Sequence, residues 1–375
     1  MSPALAIAFF FALTVFWSLL PFLPAWAESR RRRDAAPLRV VRRAEVDVRF
    51  FALRFREFLD QHLAGELAAA KADGRSREGR LEDGTAWLVA AADGPALLTA
   101  EESGERASQR LLLAAGDLTL PGEHSFLQEV HAVGALAGGP RNIYRAVLAD
   151  GPVALGDEST TLRWLHTEDA LAAGAGCALY GRVSAAASIR LGAGCRFERL
   201  HAPAIAFGEA DAGAEANGDG AGGGRELAPR DLPGQVDFGA GRCLVEGDLE
   251  IEDEALIDFD LVVVGRLRLG RGARVNGSVK CRKDAELGHG VVIAGSLVGG
   301  RHLRLGAGCR TGGPVLAEGD VVLGAGCLVG GAGRPTTLSA RRVTVSPGCT
   351  VHGTVWAHEG GRLLAADETG EEGHA

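Results

Sequence analysis

The chain has 375 residues, 40 Lys and Arg against 48 Asp and Glu, and a formal net charge of −8 at pH 7. That acidity argues against nucleic acid as a partner, because duplex and single strands alike are bound through clustered positive charge. Its 7 cysteines are odd in number and form no C-x-x-C pair, which argues against a disulfide framework.

The N-terminal residues 4–26 carry no charge and include Phe9, Phe10, Phe11, Trp17 and Phe22. As a helix this run is long enough to cross a hydrocarbon layer of about 30 Å. No basic residue precedes it, whereas Arg30, Arg31, Arg32 and Arg33 follow at once, with Arg39, Arg42 and Arg43 behind them. The positive-inside bias therefore predicts a single-pass transmembrane anchor over 1–27, with the remainder on the cytoplasmic side. The arginines within 1–43 are expected to meet anionic lipid headgroups. The competing reading is a cleaved leader ending Ala25-Trp26-Ala27, but it lacks a basic front segment.

Residues 28–110 divide into this basic segment, an amphipathic helix and a mixed region. Across 45–70, Val46, Phe50, Leu53, Phe58, Leu59, Leu63 and Leu67 fall on one broad apolar face, and Gly74 ends the pattern. Such a helix has three possible places: on the membrane, against a copy of itself, or as a cap on the solenoid. Asp83-Gly84 and Asp93-Gly94 are turn signals inside a strand-like stretch.

From residue 111 onward a short period takes over. ALAAGAGCALYG and IRLGAGCRFERL place Ala173 and Leu191 18 residues apart. A Gly/Ala/acidic segment at 209–233 interrupts the pattern, and its composition cannot bury a core. It reads as a loop inserted between coils of one solenoid, with a linker between two β-domains as the alternative. Across 234–363 the period is strict: Ile251, Leu269, Leu287, Leu305 and Leu323 each lie 18 residues after the last, and a degenerate copy follows at Val345. Apolar and polar residues alternate, so one face of each strand points inward. Glycines such as Gly270 and Gly272 follow each strand and turn the corner. A period of 18 is three sides of six, which predicts an all-β fold: a triangular parallel β-helix whose coils share stability with their neighbours. Residues 364–375 form a short acidic tail.

GRLRLGRGARVNGSV, preceded by GDLEIEDEALIDFDLVVVG and followed by DAELGHGVVIAGSL, closely resembles bactofilins, the bacterial polymer-forming cytoskeletal proteins. The resemblance covers about 234–356 strongly and 111–208 weakly. It implies a β-helix that assembles end to end without nucleotide, no catalytic residues, no cofactor, and a role in positioning envelope-related partner proteins at the bacterial inner membrane. The chain is longer than a typical member and its solenoid is interrupted.

Two chemical readings compete with a scaffold. Cys177, Cys195, Cys309 and Cys327 each follow Gly-Ala-Gly, so they repeat one interior position and do not converge as a tetrahedral metal site would. His289, His302 and His352 raise the possibility of a hexapeptide-repeat acyltransferase, but none is flanked by an evident acidic orienter. The last coil, through Val345, Val351 and Val355, is followed only by the short tail. An uncovered coil invites strand addition. These three residues are therefore the candidate surface for end-to-end contact with a second copy.

Overall fold

The computed structural model describes residues 9–10, 13–14, 16–17, 19–20, 48–91, 94–95, 98–209, 225–233, 235–237 and 241–365. The anchor expected over 1–27 lies mostly outside the described residues, and Arg30–Arg33, the centre of the 209–233 insertion and most of the acidic tail lie wholly outside them. Among the described residues no helix is long and apolar enough to cross a membrane.

The unit from Val48 onward is a parallel β-solenoid of about 13 turns with few helices. Its second run of coils follows the predicted register. Ile251, Leu269, Leu287, Leu305, Leu323, Val345 and Leu363 are successive in-register partners on one side. All seven are buried. Each coil exposes alternate side chains, and on this side Glu250, Arg268 and Glu286 stack with opposite charges facing, at 2.9 Å for Arg268–Glu286. These pairs are exposed, so they set register and solubility more than stability. At the corners, Asp248 and Asp253 accept hydrogen bonds from the backbone N–H of Arg266 (2.8 Å) and Arg271 (2.7 Å) one coil later. Gly272, Gly290, Gly308 and Gly326 occupy one corner column with φ of 67–70°, a backbone region that a side chain disfavours.

The first run has the same architecture with looser spacing. Leu118, Leu136, Val153, Leu171, Ile189 and Ile205 are successive partners on one side, although the intervals between them vary. Its interior carries large rings, Phe126 stacked on Tyr144 with centroids 5.4 Å apart. Helices α1 (Phe50–His62) and α2 (Ala64–Asp73) pack on the outside of this run. Ala52, Leu59, Leu63 and Ala70 meet Trp87, Val89, Leu111, Leu113, Leu148 and Trp164. The segment takes none of the three expected places: it lies along the outer face of several coils and does not cap the solenoid's end. Leu53, expected on the buried face, is instead exposed, and the helix breaks at Leu63 before ending at Gly74 with φ 66°.

The relation between the runs differs from the expectation of consecutive coils in one solenoid. The strand Arg196–Phe207, which closes the first run, pairs antiparallel with Cys349–Leu363, which closes the second. The runs therefore meet C-terminal end to C-terminal end. The chain leaves this junction at Gly208, and by Glu226 it is bridged to Leu256 in the opening coils of the second run.

Candidate functional site: the junction of the two runs

Each solenoid end presents a triangular rim of backbone N–H and C=O groups, and burying that rim unpaired is costly. Tail-to-tail meeting solves this on all three sides. Arg196 and Phe197 face Arg362 and Gly361; Arg199–Ala202 face Trp356–Gly353; Ile205–Phe207 face Val351–Cys349. Strand direction reverses because one run is turned over relative to the other, so parallel pairing within each run becomes antiparallel pairing between them. Bonds at the corners close the gaps: Gly348 N–H donates to the Phe207 carbonyl and Leu363 N–H to the Cys195 carbonyl, both at 2.8 Å.

The side chains follow the same logic. Inside, Leu200 lies against Val355, Ile205 against Val351, and Phe207 against Cys349, all buried. The rings of Phe197 and Phe207 are 5.5 Å apart and tilted. Phe197 fits because its partner is Gly361, where a Cβ would stand 2.1 Å from the ring. Outside, the Arg199 guanidinium sits over the Trp356 ring at 4.4 Å, and His358 stacks on the same ring. The His201 Nδ1 and Thr354 hydroxyl are 2.9 Å apart, and His352 Nδ1 donates to the Pro203 carbonyl at 2.9 Å.

Val351 and Val355, read from the sequence as an uncovered contact surface, are thus fully buried against the chain's own first run. Val345 lies one coil further in, between Leu323 and Leu363. The reason is the first run itself, whose closing strand takes the place the sequence reading left for a second molecule.

The histidines and cysteines are dispersed. His352 belongs to the junction; His302 accepts the Asp320 N–H through Nδ1 at 3.1 Å, acting as a corner acceptor like the aspartates; His289 is exposed at a corner. Cys177 and Cys195 stack in the first run, and Cys309, Cys327 and Cys349 stack in the second, all reduced and buried. Each thiol points at a corner carbonyl of the preceding coil, as Cys309 does to Gly288 (3.1 Å) and Cys195 to Gly174 (3.1 Å). In the first run Asn142 and Ser159 hold the same corner position, bonding Pro121 and Gly139. The column therefore selects a small weak donor, and cysteine supplies it with little polarity. Hydrogen bonding to Cys327, together with burial, pushes the Cys309 thiol above its ordinary range, away from thiolate reactivity. Among the described residues no group of His, Cys, Asp and Glu is placed to hold a metal ion.

No family model, curated protein or solved structure matches this chain.

Sequence reasoning missed the junction. The available signal was the pair of long alternating segments RFERLHAPAIAF and CTVHGTVWAHEGGRL, each ending a run of coils without opening another.

Proposed function

We propose that the chain is a non-catalytic, bactofilin-like scaffold, anchored through residues 1–27 at a bacterial inner membrane and holding its solenoid on the cytoplasmic side for envelope-related partner proteins. The strict coil register of the second run supports this reading, as does the uncharged N-terminal run followed by Arg30–Arg33. Residues 1–43 supply the lipid contact in this reading.

The closed junction carries the assembly part of the proposal. A filament of identical subunits needs two complementary surfaces on each one. Here both C-terminal ends are used on each other. At the start of the first run one side is covered where Arg77–Arg80 folds back on Ala86–Ala90, and the charged Arg77, Glu78 and Arg80 on that edge discourage strand addition, while the strands on the other two sides, Gly94–Pro95 and Ala107–Ser108, are only two residues long and so make poor edges. At the start of the second run, Gln235–Asp237 covers Arg242–Val245, and Glu226 is bridged to Leu256. The remaining side, Leu249–Ile251, pairs only with Leu267–Leu269 among the described residues. With this three-residue edge the longest left open among the described residues, the arrangement suits a two-fold, head-to-head pair and does not suit an endless filament. The same closure favours a second reading, a scaffold that binds partners without pairing.

Sedimentation velocity of the full chain in detergent separates these. The proposal expects a monomer–dimer equilibrium that Glu250→Pro shifts to monomer, since proline removes an N–H on the open edge while Leu249 and Ile251 keep the ladder. A strictly monomeric parent favours the second reading. Extended filaments in negative stain would contradict the closed-end argument.

A further inference from the structure

The tail-to-tail junction creates a groove on its outer surface that belongs to neither run alone. Its volume is about 350 Å³, and it is lined by Tyr180, Arg196 and Glu198 from the first run and Arg342, Gly360 and Arg362 from the second, among others. Gly360 leaves this space open, since a Cβ there would meet nothing within 4 Å.

The charges around it are unbalanced. Arg196 and Arg362 are direct cross-strand partners, so two guanidinium groups emerge side by side. Like charges directly opposite destabilise a strand pair. The acids nearby are already engaged: Glu359 pairs with Arg342 at 3.1 Å, and Glu198 accepts the Gly181 N–H at 2.7 Å. Among the described residues neither Arg196 nor Arg362 makes an ion pair or side-chain hydrogen bond. On the second run arginine stacks against acid, as for Arg268 on Glu286 and Arg271 on Asp253, and the other Arg–Arg partners, Arg182 and Arg199, each lie over an aromatic ring. At Arg196 and Arg362 the alternation breaks beside a hollow.

We propose that this groove binds a phosphomonoester carried on a small ring. Guanidinium forks match phosphate oxygens bidentately, and two forks approaching from adjacent strands suit a tetrahedral group better than a single planar carboxylate. Tyr180, 36% exposed at the rim, offers its ring to the body of the ligand. Because the arginines come from different runs, the ligand also ties the runs together, neutralising the repulsion that the junction otherwise carries.

The test is calorimetric titration of the full chain with phenyl phosphate, inorganic phosphate and benzoate. Phenyl phosphate is expected to bind saturably at millimolar concentration or below, more tightly than the other two. Arg196→Gln and Arg362→Gln should each weaken it by about tenfold, the loss of one charge-assisted hydrogen-bond pair. Tyr180→Ala should remove the advantage of phenyl phosphate over inorganic phosphate, and Arg190→Gln, on an outward position of another coil, should change nothing. Both glutamine variants should melt at or slightly above the parent temperature without ligand, which a merely structural arginine would not do. Absence of saturable binding, benzoate binding as tightly as phenyl phosphate, or affinity unchanged in both glutamine variants would overturn the proposal. Each outcome is independent of whether the chain pairs head to head.

Discussion

The two runs of coils reach one architecture by different chemistry. The second is close to a crystal of itself: aliphatic columns, a strict 18-residue step in Ile251–Leu323, and glycine at the left-handed corner in four successive coils. The first fills its interior with Phe126, Tyr144, Phe197 and Phe207, and varies its step. It places Arg106, Glu123, Arg141 and Glu158 in the left-handed corner conformation before glycine takes over at Gly176 and Gly194, whereas in the second run only the opening corner, at Glu254, lacks glycine before Gly272. Arg106 and Arg141 both pair with Glu123, so the ion ladder helps offset backbone strain at those corners. The first run also carries α1 and α2 on its outside, whereas the faces of the second bear exposed charges. A parallel solenoid thus requires inward alternation and a turnable corner. Repetition of identical residues is one way to meet that requirement, and covalent local variety with compensating contacts is another.

The sharpest way to break the comparison is to treat the junction as one more coil interface. Leu287→Asp in the middle of the second run and Val355→Asp at the junction each bury an unpaired carboxylate, costing roughly 3 kcal/mol or more. Thermal melting followed by circular dichroism should show large and similar losses. If Val355→Asp melts like the parent, the junction is not integral to the fold.

A smaller effect is expected at the glycine that receives Phe197. Gly361→Ala forces the ring to move and should cost about 1–3 kcal/mol by overpacking. Combining it with Phe197→Leu should recover part of the loss, because the two sites share one contact. Strict additivity in the melting temperatures of this cycle would show that the pair is not in contact.

The corners themselves sharpen the contrast by about 1 kcal/mol in opposite directions. Gly290→Ala meets no atoms within 4 Å, so its cost is purely that of a left-handed backbone, about 1 kcal/mol. Glu158→Gly in the first run, at φ 59°, relieves that strain and should be neutral or stabilising by less than about 1 kcal/mol. Denaturant midpoints measure both. A destabilised Glu158→Gly would mean that its side chain contributes more than its backbone costs.

The mildest expectation concerns pH and the helix-covered face. His131 and His166 are buried there, and desolvation lowers the pKa of both despite Asp150 near His131 and Glu168 near His166. Arg56 of α1, bonded to Asp150 and Glu168, also disfavours a second positive charge, as Arg49 does near His166, while Asp60 works in the opposite direction on His131. The unfolded chain takes up these protons near pH ~6.5 and the folded chain only at lower pH. Stability from this face is therefore present above that value and declines as pH falls below it toward the folded pKa. Hydrogen exchange of α1 should accelerate between neutral and mildly acidic pH, and His131→Gln with His166→Gln should flatten the response. Exchange that is independent of pH after correction for intrinsic rates would contradict this.

Much of the fold was legible in the sequence, for a physical reason. Inward alternation and corner glycine are local demands, repeated at each coil, so the column through Leu269 and Leu287 can be read directly. The first run was legible mainly where Gly-Ala-Gly-Cys recurs, because aromatic and ion-paired substitutes leave no repeated word. The junction was not legible. It joins Arg196 to Arg362 and Phe207 to Cys349 in reversed order, and no short-range pattern encodes which ends of two solenoids will meet. The candidate surface at Val351 and Val355 was correctly placed at a run's end but assigned to the wrong partner, since the competing strand lies earlier in the same chain. The proposed membrane anchor rests on hydropathy and charge asymmetry over residues that lie mostly outside those described.

The tail-to-tail arrangement is tested most directly by a cross-link. His201 and Thr354 are direct partners across the junction, and adjacent antiparallel partners lie about 4.5–5.5 Å apart at Cα, within disulfide reach. The seven native cysteines are buried and leave the added pair as the accessible thiols. In the His201→Cys, Thr354→Cys double variant, mild oxidation of dilute protein should give an intramolecular disulfide, identified by mass spectrometry of the linked peptides. Failure of the pair to cross-link, or cross-linking only between molecules, would contradict a junction closed within one chain.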